Sequence, residues 1–260
     1  MDLGLKGKRA LVTAASRGLG FATATALAAE GAKVALGARN ATRLEAAAGD
    51  LARSGAEALP VEMDLASTES IARAVALLRE RWGGLDILVV NTPGPEAGPF
   101  LSLDRQAWQR ALDTVLMPVI DVLHAALPDM RRAGGRVLLI TTVGVKVVQP
   151  AMVLSSAIRL ALTGIAKTLS VELAPDNVLV NCLCPGPIDT DRMTDLIHAT
   201  SRQRNISQAE AEAIWLDEVP LRRMGRVEDF GKLAAVLVSD AASYVTGAAL
   251  QVDGGKSRAY

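Results

Sequence analysis

The sequence predicts an α/β fold, a doubly wound parallel sheet covered by helices in three layers. Three observations predict it. Short apolar runs alternate with amphipathic stretches along the whole chain, with no block of strands alone. One run, Asp86-Ile87-Leu88-Val89-Val90, is almost wholly apolar, as in a strand buried on both faces. A turn containing Gly18 and Gly20 follows the first apolar run and opens a helix. The 260 residues are half hydrophobic and 22% charged, enough apolar mass for one core, and a single domain over 1–260 is expected.

The elements follow in order. Ala10–Thr13 reads as the first strand, and a helix runs from Gly18 to about Glu30, ended by Gly31. Lys33–Ala38 is the second strand and Ala41–Ser54 the second helix. A third strand closes at Val61-Glu62-Met63-Asp64. Ser67 opens a helix to about Trp82. After the strand 86–90 comes a Pro/Gly-rich loop, Thr92 to Pro99. A long helical region then covers 104–132, and Pro118 inside it predicts a kink that frees the Thr114 carbonyl. Arg136–Thr142 is the fifth strand, Met152–Leu173 a helix, Val178–Cys184 the sixth strand and Ala249–Val252 the last. Between them 186–226 breaks the rhythm, polar and with one helical stretch, Ser207–Glu218. It reads as a substrate lid beyond a strand end, against the plainer reading of a long surface excursion.

Composition excludes several classes. Lys+Arg and Asp+Glu both number 28, so no basic excess points to nucleic acid, and 3% aromatic residues are too few for base-stacking platforms. Cys182 and Cys184 point the same way from one strand and read as buried reduced thiols; no metal site is expected. The N-terminus lacks an apolar signal region and no apolar run is expected to span a membrane, so a cytoplasmic protein is expected.

The turn Thr13-Ala14-Ala15-Ser16-Arg17-Gly18-Leu19-Gly20 brings a helix N-terminus where it can meet a pyrophosphate, although the same glycines also suit a tight turn with no ligand. Four further motifs lie downstream: Asp64-Leu65, Asn91-Thr92-Pro93-Gly94, Pro185-Gly186-Pro187-Ile188-Asp189-Thr190, and Val252-Asp253-Gly254-Gly255. Together they resemble the short-chain dehydrogenase/reductase family, in particular its β-ketoacyl-(acyl-carrier-protein)-reductase-like members, with Ala14 in place of the first glycine. The resemblance implies a Rossmann-type fold and a nicotinamide cofactor. It implies binding through Thr13, Ser16, Arg17, Gly18, Leu19, Gly20, Asp64, Leu65, Asn91, Gly94, Pro185, Gly186, Ile188 and Thr190. The second strand ends Gly37-Ala38-Arg39-Asn40 without a carboxylate for a ribose 2′-hydroxyl. Arg39, with Arg17 as a second partner, favours NADP(H) over NAD(H).

The same resemblance locates the catalytic positions. The family's Ser falls on Thr142, its Tyr on Ser155, its Lys on Arg159 and its Asn on Val115. Thr142 keeps a hydroxyl and Arg159 a charge one helical turn from Ser155, where it is placed to bind the nicotinamide ribose. Ser155 is no phenol. Lys146 is a candidate substitute acid, or else an exposed loop lysine. Two readings stay open. One is an NADP(H)-dependent oxidoreductase acting on a small carbonyl or alcohol substrate, such as a 3-oxoacyl thioester, by an altered proton path. The other is a nucleotide-binding or scaffold protein that has lost the chemistry. Family likeness also implies a homotetramer paired through the helices at 104–132 and 152–173. Tyr244 and Tyr260 are the tyrosines, both C-terminal.

Overall fold

Alternation along each strand divides its side chains between two faces, and the structure, a computed structural model describing residues 2–258, shows what covers each. Among the described residues the strands are β1 (Arg9–Thr13), β2 (Lys33–Ala38), β3 (Ala58–Glu62), β4 (Ile87–Val90), β5 (Gly135–Ile140), β6 (Val178–Pro185) and β7 (Ala249–Val252). The helices are α1 (Gly18–Ala29), α2 (Ala41–Arg53), α3 (Thr68–Trp82), α4 (Arg105–Ala111), α5 (Met117–Ala133), α6 (Val153–Glu172), α7 (Asp191–Arg204), α8 (Gln208–Asp217) and α9 (Val227–Leu237). The strands form one parallel sheet in the order β3-β2-β1-β4-β5-β6-β7.

Ala10 and Val12 of β1 face one core and Leu11 the other, and Ile87 and Val89 of β4 part from Leu88 and Val90 in the same way. Leu27 of α1, Leu44 of α2 and Phe230 of α9 fill the first core. Ile71 of α3, Val119 of α5 and Leu162 of α6 fill the second. The expected three layers are therefore present. Cys182 and Cys184 do share a face, both buried in the second core as free thiols. Burial, with Cys184 beside it, pushes the Cys182 thiol up to about 12.

Strand ends follow hydrogen-bonded partners more than side-chain pattern. The last β2–β3 pair is Ala38 with Glu62, so Met63 and Asp64 leave the third strand that was expected to hold them. The last β5–β6 pair is Ile140 with Leu183, so Thr141 and Thr142 lie beyond β5.

The helical region after β4 is interrupted. Leu112–Leu116 is a π-helical turn between α4 and α5, and the Met117 N–H donates to the Leu112 carbonyl. Pro118 lies two residues beyond this turn, in which one extra residue is inserted into the helix. The run Arg105–Ala133 spans 29 residues with a window of mean hydropathy 1.4, long and apolar enough by length and composition to cross a bilayer. This corrects the expectation that no run reaches that length. The physical reason lies in packing: Val119, Val122 and Ala126 supply the second core.

Two helices were not foreseen. The excursion 186–226 holds α7 as well as α8, and α9 follows it. Most of α7 is exposed and polar; only Met193 and Ile197 are buried, in a small core shared with Ala211 of α8, so its periodicity is faint. The excursion is pinned at its neck, where Gly225 donates to the Pro187 carbonyl at 3.0 Å and accepts from the Asp189 N–H at 2.9 Å.

The sheet order sets the site. The chain winds from β1 outward to β3, then crosses back to β4 on the other side of β1. Loops leaving the carboxyl ends of β1 and β4 therefore diverge, and a crevice opens between them.

Candidate active site

A cleft of about 1010 Å³ occupies that crevice, at the upper end of the usual range for ligand pockets. Its lining gathers residues from both halves of the sheet and from the excursion. At its base Thr13 ties the two diverging loops. Its hydroxyl donates to the Asn91 carbonyl at 2.6 Å and accepts the Asn91 N–H at 2.8 Å. Thr13 is fully buried, so it holds the cleft's walls together from behind them.

The β1–α1 turn fits a diphosphate. Arg17 caps α1 with no side-chain hydrogen bond, and the first turn carries no acid, so the helix N–H groups stay open to an anion. Gly20 lets this turn close tightly, because a Cβ there would lie 2.5 Å from the Ala14 carbonyl oxygen. Ala14, where the resembled family has glycine, is held at a φ of +48°. The left-handed region costs a Cβ-bearing residue roughly 1–2 kcal/mol. Ala14→Gly is therefore expected to raise the thermal midpoint by about 2–4 °C per kcal/mol relieved. An unchanged or lowered midpoint in thermal unfolding would show that the turn is not strained.

Of the residues expected to bind the cofactor, Ser16, Gly18, Leu19, Asp64, Leu65, Asn91, Gly94, Pro185, Gly186, Ile188 and Thr190 line the cleft. Thr190 is also the N-cap of α7, accepting the Met193 N–H. Gly186 sits against the C-terminal tail: a Cβ there would lie 2.7 Å from the Cα of Asp253, which ties the Pro-Gly turn to the Val252-Asp253 motif.

Charge at the β2 end differs from expectation in one respect. Arg39 lines the cleft, exposed and in no ion pair among the described residues. Its companion there is Arg43, in the first turn of α2, equally exposed. The sequence reasoning assigned that part to Arg17 and missed Arg43. Arg17 does line the cleft, but its guanidinium pairs with Asp191 of α7, bridging the glycine turn to the excursion. The missed signal was Asn40, whose side chain caps α2 by accepting the Arg43 N–H at 2.9 Å and so sets Arg43 one turn from Arg39.

At the other end of the cleft stand Thr142, Ser155 and Arg159. Thr142, extended just past β5, accepts the Gly144 N–H at 3.2 Å and keeps its own hydroxyl proton free. Ser155 is buried on α6, and no hydrogen bond ties its hydroxyl to another described residue. Arg159, one turn on, is also buried. Its guanidinium donates to the carbonyls of Ile140 at 2.8 Å, Pro93 at 3.3 Å and Thr92 at 3.4 Å. Burial, with the Arg192 charge nearby, lowers its pKa to about 10, so it stays cationic at neutral pH.

Lys146, the family's Asn position and the tyrosines do not meet in this cleft among the described residues. Lys146 is exposed and outside the lining, so the desolvation that a substitute acid requires is absent. Val115, at the family's Asn position, is fully buried among Ala107, Ala111, Leu154 and Ile158; the place of a polar relay group is apolar core. Tyr244 is fully exposed and outside the lining, and Tyr260 lies outside the described residues.

Comparison with known proteins agrees with this geometry. Residues 13–257 match the family profile described as Enoyl-(Acyl carrier protein) reductase. The human protein named Dehydrogenase/reductase SDR family member 4 is 32% identical over 96% of this chain and 88% of its own length. The 3-oxoacyl-(acyl-carrier-protein) reductase FabG of Aquifex aeolicus is 34% identical, over 98% of this chain and 99% of its own. Among solved structures, L-sorbose reductase from Gluconobacter frateurii, complexed with NADPH and L-sorbose, superposes with a TM-score of 0.93 at 30% identity, covering 100% of both chains. The chain belongs to the short-chain dehydrogenase/reductase family, on the FabG-like side of it. Its fold is the family's Rossmann-type fold, and its relatives are oxidoreductases.

Proposed function

We propose that this protein is an NADP(H)-dependent oxidoreductase that reduces a carbonyl of a small molecule, or oxidises the corresponding alcohol, without a tyrosine in its proton path. One observation carries the reading. A single cleft holds Arg39 and Arg43 at one end and the hydroxyls of Thr142 and Ser155 at the other; among the described residues neither arginine is in an ion pair and neither hydroxyl donates a hydrogen bond. The residues present fit the dinucleotide. The open α1 terminus suits its diphosphate, Arg39 and Arg43 suit a 2′-phosphate, and the residues that follow β2, Arg39-Asn40, include no carboxylate. The relative complexed with NADPH and L-sorbose supports the same pairing of cofactor and carbonyl. A 3-oxoacyl thioester is one such substrate, by likeness to FabG.

When bound, NADP(H) supplies or accepts the hydride. The chain's own part is to hold the substrate oxygen and manage its charge. Thr142 donates a hydrogen bond to that oxygen, and Ser155 offers a second. Neither alkanol gives up its proton readily, so the hydroxyls orient while water entering the open cleft exchanges the proton. Arg159, cationic and shielded from solvent, stabilises negative charge developing on the oxygen. The excursion with α7 and α8 acts as the lid over this end.

The test is a titration with NADPH followed by a screen of ketones and 3-oxoacyl thioesters for NADPH oxidation. Binding with turnover is the expected result. Binding without turnover on any of them would identify a cofactor-binding protein that has lost the chemistry, a reading that the apolar Val115 site favours.

We assign the same protein a homotetrameric assembly. Of the apolar residues on the two helices expected to pair, Val119, Leu123, Leu127 and Leu162 are buried in the chain's own core. Met117, Leu160 and Val171 remain on the outside of α5 and α6, exposed at 44%, 55% and 71%. Sedimentation is expected to show four copies at micromolar concentration, and a monomer there would refute the assembly.

A further inference from the structure

Arg192 is a cation with no evident employment in the reading above. It stands in the first turn of α7, where the helix dipole disfavours positive charge. Its side chain nonetheless turns inward and lines the cleft. Its Nη2 donates to the Pro95 carbonyl at 2.7 Å. Its guanidinium lies directly over Gly94: a Cβ at Gly94 would sit 2.8 Å from Nε and 3.0 Å from Cζ. Burial lowers its pKa, opposed by the charge of Asp195 on the same helix.

Two guanidiniums thus share one end of a cleft and repel each other, since the Arg192 charge acts on Arg159. Among the described residues neither lies within ion-pairing distance of a carboxylate, although thirteen such pairs occur elsewhere. Three of the four acids that line the cleft are otherwise placed: Asp191 pairs with Arg17, Asp64 accepts the Ala66 N–H at 3.0 Å, and Asp113 accepts from Gln109 at 2.9 Å; the fourth, Asp195 on α7, acts on Arg192 by its charge without pairing with it. Burying two cations with only the unpaired carboxylate of Asp195 near one of them is costly, and an anion entering the cleft relieves the cost twice, at Arg192 and at Arg159. Arg159 spends its donors on three backbone carbonyls. Arg192 has one such bond, through one of the two Nη2 hydrogens, which leaves the other Nη2 hydrogen and its neighbour on Nη1 or Nε as a fork for a planar, two-oxygen acceptor.

We propose that Arg192, with Arg159 beside it, forms an anion subsite that selects carbonyl substrates bearing a carboxylate. The substrate class is an oxo acid, or the matching hydroxy acid. The inference rests on the carbonyl–alcohol reading of this cleft for its chemistry, but the anion subsite itself is measurable without turnover. The cofactor's diphosphate is the rival occupant. The α1 terminus and the glycine turn already provide for that group.

The experiment is calorimetric titration of the full-length protein, saturated with NADP⁺, with pyruvate, acetoacetate and levulinate and with the methyl ester of each. At least one acid is expected to bind ten or more times more tightly than its ester. Arg192→Met is expected to abolish that preference while leaving NADP⁺ affinity within about twofold, and Arg192→Lys to retain part of it. Thermal unfolding of each variant checks the fold, and the Lys variant decides the matter if Met at 192 is unstable. Equal binding of acid and ester, no binding of any acid, or a loss of NADP⁺ affinity with acid binding unchanged would each overturn the subsite; the last would assign Arg192 to the cofactor. Acid binding that depends on Arg192, with no NADPH oxidised by any ketone, would keep the subsite and end the oxidoreductase reading. Oxidation of NADPH by neutral ketones alone would do the reverse.

Discussion

The double variant Ser155→Tyr, Arg159→Lys is expected to raise NADPH-dependent carbonyl reduction by about 10²–10⁴-fold, the usual contribution of a positioned general acid. The rest of the site is in place for it. Thr142 presents a free hydroxyl, and Asn91 is locked to Thr13 at the base of the cleft. Positions 155 and 159 lie one helical turn apart on α6, so the ammonium would lower the phenol's pKa toward the working range. Lysine also has three donors for the carbonyls of Ile140, Thr92 and Pro93 that Arg159 now serves. The risk is steric. Ser155 is buried, with Leu154 and Val115 packed nearby, and overpacking costs about 1–3 kcal/mol. Thermal unfolding separates that outcome from a chemical one. A folded variant that binds NADPH and reduces nothing the wild type does not would show that the pocket has been rebuilt for another purpose.

Replacing both Arg39 and Arg43 with alanine is expected to weaken NADPH binding about 100-fold and to leave NADH binding nearly unchanged. Hydrogen bonds to a charged group contribute about 1.5–3 kcal/mol each when sheltered. Both arginines are exposed, so the pair together is put at about 3 kcal/mol, which is roughly 100-fold. Their exposure also predicts that NADPH affinity falls as salt rises, and that the double variant loses most of this dependence. Equal losses for the two cofactors would mean that the arginines act on the diphosphate or on folding instead of the 2′-phosphate.

The motifs that line the cleft were legible because each is local. Thr13 to Gly20, Asn91 to Gly94 and Pro185 to Thr190 are short stretches in which a strand end becomes a turn, and turn chemistry is written in neighbouring residues. Thr142, Ser155 and Arg159 were legible through the family resemblance, because its motifs register on a strand end and on one helix. Arg43 and Arg192 were not. Each is one arginine among several on its helix; the Asn40 cap fixes Arg43 in the first turn of α2 but does not by itself say that it faces the cleft, and no such mark stands beside Arg192. Lys146 failed for the complementary reason. Its distance in sequence from Thr142 is short, but the 3₁₀ turn Val143–Val145 between them leaves its side chain in solvent.

The strands and most of the helices follow from the sequence by itself, because buried strands must alternate or run apolar and helices must bury a stripe. The order of the strands about the switch point, and hence the crevice, came with the family's motifs. Only the tertiary structure decided what fills that crevice. Val115 became core because α4 and the π turn press on Leu154 and Ile158 of α6, an encounter between segments some forty residues apart. Arg17 went to Asp191 because the excursion folds back over the glycine turn. Arg192 and Arg159 met at one end of the cleft for the same reason. A local pattern records which face of an element is apolar. It does not record which charges from distant elements will share a low-dielectric space, and there their interaction is strongest.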